Sequence, residues 1–419
     1  MKRIELQVLI AGLILAAPLS AQQPADTALA ARLERAERQI ELLREQLRAL
    51  AASRVESRER NRVELSGRVL VNAFFNNAKV NNSDVPAFVL PPDPPGLPAS
   101  AAGATVRQSQ VALTTFVPEL AGGSFAGELD VDFFGGQQPS PGGRTFPLVR
   151  IRRVRAEITW PHAWVMFGQE APPIAEINPS SLSQIGTPSF ANSGNLWLWT
   201  PQIRLGAEAG GALRVGLEAS ALAPTAAEPQ PAFATQPDRA ERSRRPAAEG
   251  RLRVRWDGAR TTGELSVGGH LGWLALSEDT LVTTRAAAAS LILTATRYVE
   301  LRAEVFTGRM LAGLGGGGIG QNFGAGNLPL RSKGGWAQLN IKPIPQLELG
   351  GGYGRDDPED AYINPVLARL KNVAWEAHVH WRPRPLVFGA EFRRIETTYA
   401  TPFDLLWVNH VNVAAGFEF

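Results

Sequence analysis

The last ten residues of the chain, HVNVAAGFEF at positions 410–419, decide the fold. Apolar side chains occupy every second position, and polar or small residues lie between them. A strand with this alternation has one apolar face and one polar face. Such strands, when they end on an aromatic residue like Phe419, are typical of bacterial outer-membrane β-barrels, in which one face meets lipid and the other a watery lumen. The alternative is the last, half-buried strand of a soluble β-sandwich.

The opposite end of the chain predicts export. Lys2 and Arg3 precede an apolar run at 8–15, and the small residues Ser20 and Ala21 follow it. This pattern is typical of a secretory signal peptide, which we predict over residues 1–21. No later segment reaches the roughly 20 consecutive apolar residues of a membrane-spanning helix, so any membrane span must consist of strands.

Composition favours a barrel and excludes several other classes of protein. The 419 residues include 41 glycines and 10 tryptophans, but mean hydropathy is near zero, as expected when half of every strand faces water. Cysteine is absent, which excludes disulfides, thiol catalysis and cysteine-based metal sites. The 43 basic and 40 acidic residues are interleaved and form no basic surface, so we expect no nucleic-acid partner.

A different pattern follows the predicted signal peptide. Over residues 26–53, apolar residues recur at spacings of three and four, which predicts a short coiled coil. Its a positions are Leu33, Ile40 and Leu47, and its d positions are Leu29, Ala36, Leu43 and Leu50. A single amphipathic helix on the barrel or on the membrane surface is the alternative. The pattern does not fix the number of helices, and residues 54–61 have the polar composition of a linker.

Residues 62–419 divide into sixteen alternating segments, which predicts an all-β fold, a sixteen-stranded antiparallel transmembrane barrel; fourteen or eighteen strands are the alternatives. The predicted strands lie at 62–76, 105–117, 124–134, 147–160, 163–170, 201–209, 211–221, 249–258, 260–274, 285–296, 298–307, 333–342, 346–355, 369–382, 386–397 and 404–419. Short turns alternate with long Gly/Pro-rich loops, which places the turns and both termini in the periplasm. Sixteen strands leave an aqueous channel, through which solutes can pass.

The third and fourth predicted strands carry opposite charges on their lumen faces. The acidic row consists of Glu128, Asp130 and Asp132. The basic row consists of Arg150, Arg152, Arg153 and Arg155, with further inward candidates at Arg204, Arg251, Arg253 and Arg255. Because the alternation slips between Arg152 and Arg153, we expect a β-bulge there. The rows either neutralise each other in a salt-bridged wall or form a selective ladder for anions.

Three short motifs, together with the signal peptide and the coiled coil, carry a resemblance to a known family. They are Ser66-Gly67-Arg68 in the first strand, Phe167-Gly168-Gln169 before a long loop, and Pro201-Gln202-Ile203-Arg204 after it. With them the chain resembles the trimeric outer-membrane porins of the dicarboxylate-specific (DcaP-like) type and, more distantly, the phosphate-selective porins. The resemblance implies a homotrimer with a periplasmic coiled coil, one pore per subunit and diffusion of small anionic solutes such as carboxylates.

The lysines depart from the pattern of the phosphate-selective porins. Those relatives build a lysine-rich ladder, whereas Lys79, Lys333 and Lys342 are scattered along this chain. The sequence therefore speaks against phosphate specificity.

The loop at 171–200 is the third external loop of the predicted barrel. In general porins this loop folds into the barrel and sets its narrowest point. By resemblance, a constriction loop here would turn four polar residues toward the basic wall: Glu176, Asn178, Ser181 and Gln184. The alternatives are that the loop packs over a neighbouring subunit or caps the mouth of the barrel.

The remaining expectations concern partners and chemistry. We expect contact with outer-membrane lipid and lipopolysaccharide, and recognition of Phe419 by the barrel-assembly machinery. No catalytic constellation stands out in the sequence, so we predict no enzyme and no cofactor. A structural barrel that tethers the envelope through its coiled coil, without transport, is the alternative function.

Two histidines raise the question of a metal. His378 and His380 alternate inward beside Glu376, a pattern that could bind a metal ion. Hydrogen bonds with Glu391 or Arg393 in the lumen are the favoured interpretation, so we predict no metal site.

Overall fold

The computed structural model of the protein describes residues 55–56, 61–93, 98–136, 147–228, 236–364, 366 and 368–419. The predicted signal peptide (1–21), the coiled coil (26–53) with its a and d residues, and most of the linker (54–61) lie outside the described residues and stay predictions. After a two-residue strand at Val55–Glu56, the described strands form one antiparallel barrel.

The barrel has sixteen strands, as the alternation of the sequence predicts, and the second strand is interrupted by a bend at 106–109. In chain order they are β1 (Arg62–Asn76), β2 (Ala101–Thr105 and Gln110–Leu120), β3 (Gly123–Asp132), β4 (Arg150–Thr159), β5 (Ala163–Glu170), β6 (Thr200–Gly210), β7 (Leu213–Leu222), β8 (Ala247–Asp257), β9 (Thr262–Ala275), β10 (Leu281–Thr296), β11 (Val299–Arg309), β12 (Arg331–Ile344), β13 (Leu347–Pro358), β14 (Arg369–Trp381), β15 (Leu386–Tyr399) and β16 (Leu405–Glu418).

The sheet closes on itself. Each strand pairs with its neighbours in sequence, and β16 pairs with β1 in a register that runs from His410 opposite Asn76 to Glu418 opposite Arg68. Beyond β16, the backbone N–H groups of Phe419 and Gly67 each donate to the other residue's carbonyl oxygen at 3.0 Å. Closure leaves the sheet without a free edge at which another chain could pair.

The two faces of the barrel differ in polarity, as the alternation predicts. On β16, Val411 and Val413 point outward and are 42% and 54% exposed, whereas His410 and Asn412 point inward and are at most 1% exposed. Exposed apolar side chains continue around the outer face on the other strands. An apolar exterior around a polar interior is the arrangement of a barrel that faces lipid, and the opposite of a soluble sandwich.

The connections alternate in length. Seven short turns lie at one rim, and eight longer segments lie at the other. The turn between β2 and β3 has only two residues, Ala121 and Gly122, with φ angles of 52° and 75°. Two residues at positive φ match the right-handed twist of the flanking strands, which favours this tight hairpin.

One long segment, loop 171–200, contributes much of the buried apolar surface. Its Phe190 stacks on Trp336 of β12 with ring centroids 6.0 Å apart, and its Leu182 packs with Leu70 of β1 and Val387 of β15. Because these partners belong to the inner faces of distant strands, the loop lies inside the barrel. Among the described residues, no helix has the length and hydropathy needed to cross a membrane.

Candidate functional site

Loop 171–200 crosses the lumen and is fixed at several points on the wall. The Asn72 side chain on β1 donates to the carbonyl oxygen of Leu182 at 3.0 Å, and the Ser180 hydroxyl donates to Glu348 on β13 at 2.6 Å. On the opposite side of the barrel, the backbone N–H of Ile174 donates to Glu249 on β8 at 3.2 Å. The loop thus divides the lumen, and neither alternative expected from the sequence, a cap on the mouth or an arm over a neighbour, describes its position.

A single carboxylate of the wall holds the middle of the loop. Glu391 on β15 accepts hydrogen bonds from the backbone N–H groups of Leu182 and Ser183, at 2.5 and 3.2 Å, and from the hydroxyls of Ser181 and Ser183. Charge-assisted hydrogen bonds of this kind are about twice as strong as neutral ones. Glu391 therefore anchors the loop.

Of the four predicted loop residues, Glu176 places its side chain on the basic wall. Its carboxylate accepts from Arg204 Nη1 at 3.1 Å and pairs with Arg251. Enclosure in the barrel would raise the pKa of Glu176, but Arg251 and Arg204 outweigh that effect and hold the pKa below its ordinary value. Glu176 therefore stays ionised between the two guanidiniums.

The prediction that Asn178 and Ser181 also face the basic wall is wrong. The Asn178 side chain accepts from Asn195 within the loop at 3.1 Å. The Ser181 hydroxyl reaches the acidic Glu391 at 2.7 Å. Gln184 is buried and donates its backbone N–H to the oxygen of Ser181 at 2.9 Å, and the role of its side chain at the basic wall stays a prediction. The reason is that the serine-rich stretch folds around the carboxylate of Glu391 instead of crossing to the arginines.

On β3 and β4 the predicted acidic and basic rows meet. Arg150 donates to both carboxylate oxygens of Asp132, at 3.0 and 2.6 Å. Asp130 lies opposite Arg153, but the next pair is Val131 with Ile151, so Arg152 is the extra residue of a β-bulge where the sequence predicts one. As a result Arg152 and Arg153 both face inward and share Asp130, at 3.3 and 3.1 Å.

A further charge network lies on β6 to β9. Arg251 and Arg253 on β8 each bind Glu218 of β7 at 2.9 Å, and Arg255 binds Glu264 of β9 at 2.5 Å. Sequence reasoning found the arginines but missed these glutamates. The missing signal is strand register, since Arg251 lies directly opposite Glu218 and Arg255 directly opposite Glu264.

Acids and arginines are close to balanced in the two networks, but they are not equally exposed. The arginines that reach the water of the lumen have side chains 27–41% exposed; they are Arg150, Arg153, Arg155, Arg214 and Arg255. By contrast, most acids of the two networks are less exposed, from 0% for Asp132 and 1% for Glu218 to 19% for Glu208, while Glu157 and Glu176 reach 28% and 33%. We call this lumen face of β3–β9 the arginine wall.

A cavity opens along the arginine wall toward the rim of short turns. It has a volume of about 480 Å³, and its lining includes Glu176 together with Arg155, Arg204 and Arg255. Pro161 and His162 of the β4–β5 turn border it at the rim. Arg204 and Arg251 lie almost fully buried where Glu176 covers them, so a protein carboxylate occupies the inner end of this cavity.

Comparisons with known proteins identify the fold. No family model matches the sequence, and no curated protein matches it. Among solved structures, the outer membrane channel DcaP of Acinetobacter baumannii superposes with a TM-score of 0.65 at 18% sequence identity, over 87% of this chain and 99% of that chain. The predicted resemblance to DcaP-like porins is thus confirmed for the fold.

Two further structures share the architecture. An anion-selective porin from Comamonas acidovorans has a TM-score of 0.51 at 12% identity, over 86% of this chain and 100% of that chain. OmpT of Vibrio cholerae, in a trimer form, has a TM-score of 0.51 at 9% identity, over 86% of this chain and 99% of that chain. At these identities the likeness concerns the fold alone.

Proposed function

We propose that the protein is a passive outer-membrane channel through which small hydrophilic solutes diffuse, with a preference for anions such as carboxylates. The closed barrel with an apolar exterior and a charged lumen supports a location in the outer membrane. The channel and porin structures that share its fold support transport by diffusion rather than catalysis.

The anion preference rests on one observation, the unequal exposure of charges on the arginine wall. A solute in the lumen meets the guanidiniums of Arg153, Arg155 and Arg255 before it meets their carboxylate partners. Guanidinium groups bind carboxylates through two parallel hydrogen bonds, and low local dielectric strengthens such contacts. A lumen that is nearly neutral in total therefore presents positive charge to water.

Glu176 supports the same conclusion and gives loop 171–200 the role of a constriction loop. Its carboxylate sits between Arg204 and Arg251, where an incoming anion would also bind. A carboxylate of the solute would compete with Glu176 for these arginines. The loop then both narrows the lumen and limits how strongly an anion is held, which a diffusion channel requires.

For the assembly, we propose a homotrimer joined by parallel coiled coils of residues 26–53 in the periplasm. The heptad pattern and the trimeric form of OmpT support this assembly. In this arrangement the outer surface of each barrel contacts lipid and lipopolysaccharide, and the exposed Phe419 at the end of β16 is available to the barrel-assembly machinery.

Current through the purified protein in a planar lipid bilayer tests the proposal. We expect the conductance to rise in groups of three equal steps, one for each subunit of the trimer. Under a salt gradient we expect a reversal potential that indicates anion preference. If correctly folded protein gives no conductance, the channel function is wrong and the envelope-tethering barrel becomes the better account. Single steps would contradict the trimer and leave the channel intact.

A further inference from the structure

Strands β13 and β14 bring three metal-ligating side chains to one point of the lumen wall, away from the arginine wall. His378 and His380 stand two residues apart on β14 and so share its inner face. Glu348 on β13 lies directly opposite His380, and Gly350 lies directly opposite His378. The strand register thus sets two imidazoles beside one carboxylate.

The distances among the three groups suit a single ion. Glu348 Oε1 lies 3.3 Å from His378 Nε2 and 3.2 Å from His380 Nδ1, and all three ligand atoms lie within 4.8 Å of one another. Ligands about 2.0–2.1 Å from a tetrahedral Zn²⁺ are roughly 3.3 Å apart. The two oxygen–nitrogen separations already have this value.

The rings of His378 and His380 stack, with centroids 4.1 Å apart and an interplanar angle of 11°, so they must turn for their nitrogens to meet one ion. His380 already has the second partner that metal-binding histidines commonly have. The second nitrogen of His380, Nε2, lies 2.9 Å from Glu391 Oε1. A metal-ligating histidine commonly donates its other N–H to a carboxylate, which fixes the tautomer and the ring. A Cβ at position 350 would lie 2.2 Å from Cε1 of His378, so a glycine there is what allows the ring its position.

We propose that Glu348, His378 and His380 bind one divalent transition-metal ion of the zinc class. Two imidazoles and one carboxylate suit Zn²⁺ and similar ions, whereas Ca²⁺ and Mg²⁺ prefer oxygen ligands. Three protein ligands leave the fourth position to a water molecule.

The local charges are compatible with an ion. Lys342 Nζ lies 3.4 Å from the other oxygen of Glu348, and it is the nearest positive charge on that carboxylate. Glu348 and Glu391 together offset two of the three positive charges that Lys342 and a divalent ion carry.

The site would couple the metal to loop 171–200. The Ser180 hydroxyl of the loop donates to the same oxygen of Glu348 that faces both histidines, and Glu391 binds both His380 and the loop backbone. The ligand side chains are at most 8% exposed. An ion here would have a structural role and would stiffen the wall to which the loop is fixed.

From the sequence we predict no metal site, and this proposal reverses that prediction. The sequence also pointed to a different acid. It placed Glu376 beside the histidines, but that carboxylate accepts from Gln338 Nε2 at 2.6 Å and lies near Arg393. The ligand is instead Glu348, thirty residues before His378 and on the neighbouring strand. The predicted contact between a histidine and Glu391 is present, as the second-nitrogen bond of His380.

Metal titration of the full-length protein, without a histidine tag and after removal of metal with a chelator, tests the proposal. We expect one Co²⁺ per chain, with the visible absorption bands of tetrahedral cobalt, and displacement of Co²⁺ by Zn²⁺. His378→Gln and His380→Gln should each weaken binding more than about 100-fold, and Glu391→Gln about 10-fold, since outer-shell partners contribute that much.

His270→Gln is the matched control. His270 also points into the lumen and hydrogen-bonds a carboxylate, Glu249, at 2.9 Å, but it has no second histidine beside it. Binding should be unchanged in this variant, and heat-modifiable gel mobility should show that every variant is folded. Absence of uptake by the wild-type protein, or uptake that survives His378→Gln and His380→Gln, would overturn the proposal. Because the titration does not depend on conductance, its outcome is separate from that of the channel function.

Discussion

The two sides of the lumen handle charge in opposite ways. On the arginine wall, Arg155 and Arg255 extend into water, while the loop binds the more buried Arg204 and Arg251 through Glu176. On the other side, which we call the anchor wall and define as Gln338, Glu348, His380 and Glu391, nearly every polar group is bound to loop 171–200 or to its neighbour.

The difference shows how a nearly neutral lumen can favour anions. The loop supplies N–H and hydroxyl donors to the acids of the anchor wall, so those carboxylates no longer face water. On the arginine wall most acids, such as Asp132 and Glu218, are less exposed than the arginines that reach the water of the lumen. Anion selectivity then depends on which charged side chains are shielded from water. Four changes test this explanation.

The largest effect should come from Glu391→Ala. The change removes the acceptor of the Leu182 N–H, of two hydroxyls and of His380 Nε2, and it removes one of the two acceptors of the Ser183 N–H. Because unsatisfied buried donors cost about 1–3 kcal/mol each, we expect a loss of roughly 3 kcal/mol or more in the free energy of unfolding. Urea unfolding of the protein in lipid vesicles measures the free energy of unfolding. Channel recordings should show a larger and noisier conductance, because the loop is released from the wall.

Glu396→Ala is the control for this change, on the same strand but in an exposed pair with Arg394. An exposed ion pair contributes less than about 1 kcal/mol. Equal destabilisation by both variants would mean that Glu391 has no special role as the anchor of the loop.

The next effect concerns the arginine wall. Replacing Arg153 and Arg155 by Gln leaves Glu128, Asp130 and Glu170 with fewer cationic partners. We expect the anion-to-cation permeability ratio to fall roughly threefold or more, because each unit of charge near a pore changes ion energies by about 1 kcal/mol. Reversal potentials under a salt gradient give the ratio. Arg394→Gln, on the outer face, should leave it unchanged, and a ratio unaffected by the double replacement would assign these arginines to wall structure alone.

A smaller and opposite effect is expected from Glu176→Gln. The neutral amide keeps the shape of the side chain but weakens its hold on Arg204 and Arg251. Anion preference should rise by roughly twofold, and a carboxylate solute such as acetate should compete better for the site. Single-channel recordings with and without acetate measure both. Glu228→Gln, in a loop pair with Arg239, serves as control; a fall in anion preference after Glu176→Gln would contradict competition between Glu176 and the solute.

The smallest effect is that of ionic strength on the wild-type protein. Screening lengths shorten from about 10 Å at 0.1 M salt to about 3 Å at 1 M, so the exposed arginines should lose much of their influence. We expect the anion preference to weaken as salt rises, while the unfolding free energy, which rests on buried contacts of the anchor wall, changes little. If the anion preference does not change with salt concentration, the charges that cause it are not exposed to the water of the lumen.

The strands and the β3–β4 charge pairs could be predicted because both are local. The alternation of apolar and polar side chains is visible among neighbouring residues, and Asp132 pairs with Arg150 on the next strand of the same hairpin. The anchor wall could not be predicted, since Glu391 meets Ser183 over 208 positions of sequence and no periodic pattern marks the pair. Glu176 was found only by resemblance to other porins, and Asn178 and Ser181 in the same loop were misplaced because no local pattern marks their partners.

The seam between β1 and β16 has a consequence for the order of assembly. Asn72 and Asn412 bond across it although 340 positions separate them, so this pairing carries the highest chain-entropy cost in the molecule and should form late. Asn72 also binds Leu182, whose neighbour Ser183 is held by Glu391 on β15. The loop therefore touches β1 on one side of the seam and β15, the hairpin partner of β16, on the other. Once in place it would act as an internal template that holds the first and last hairpins within reach of each other.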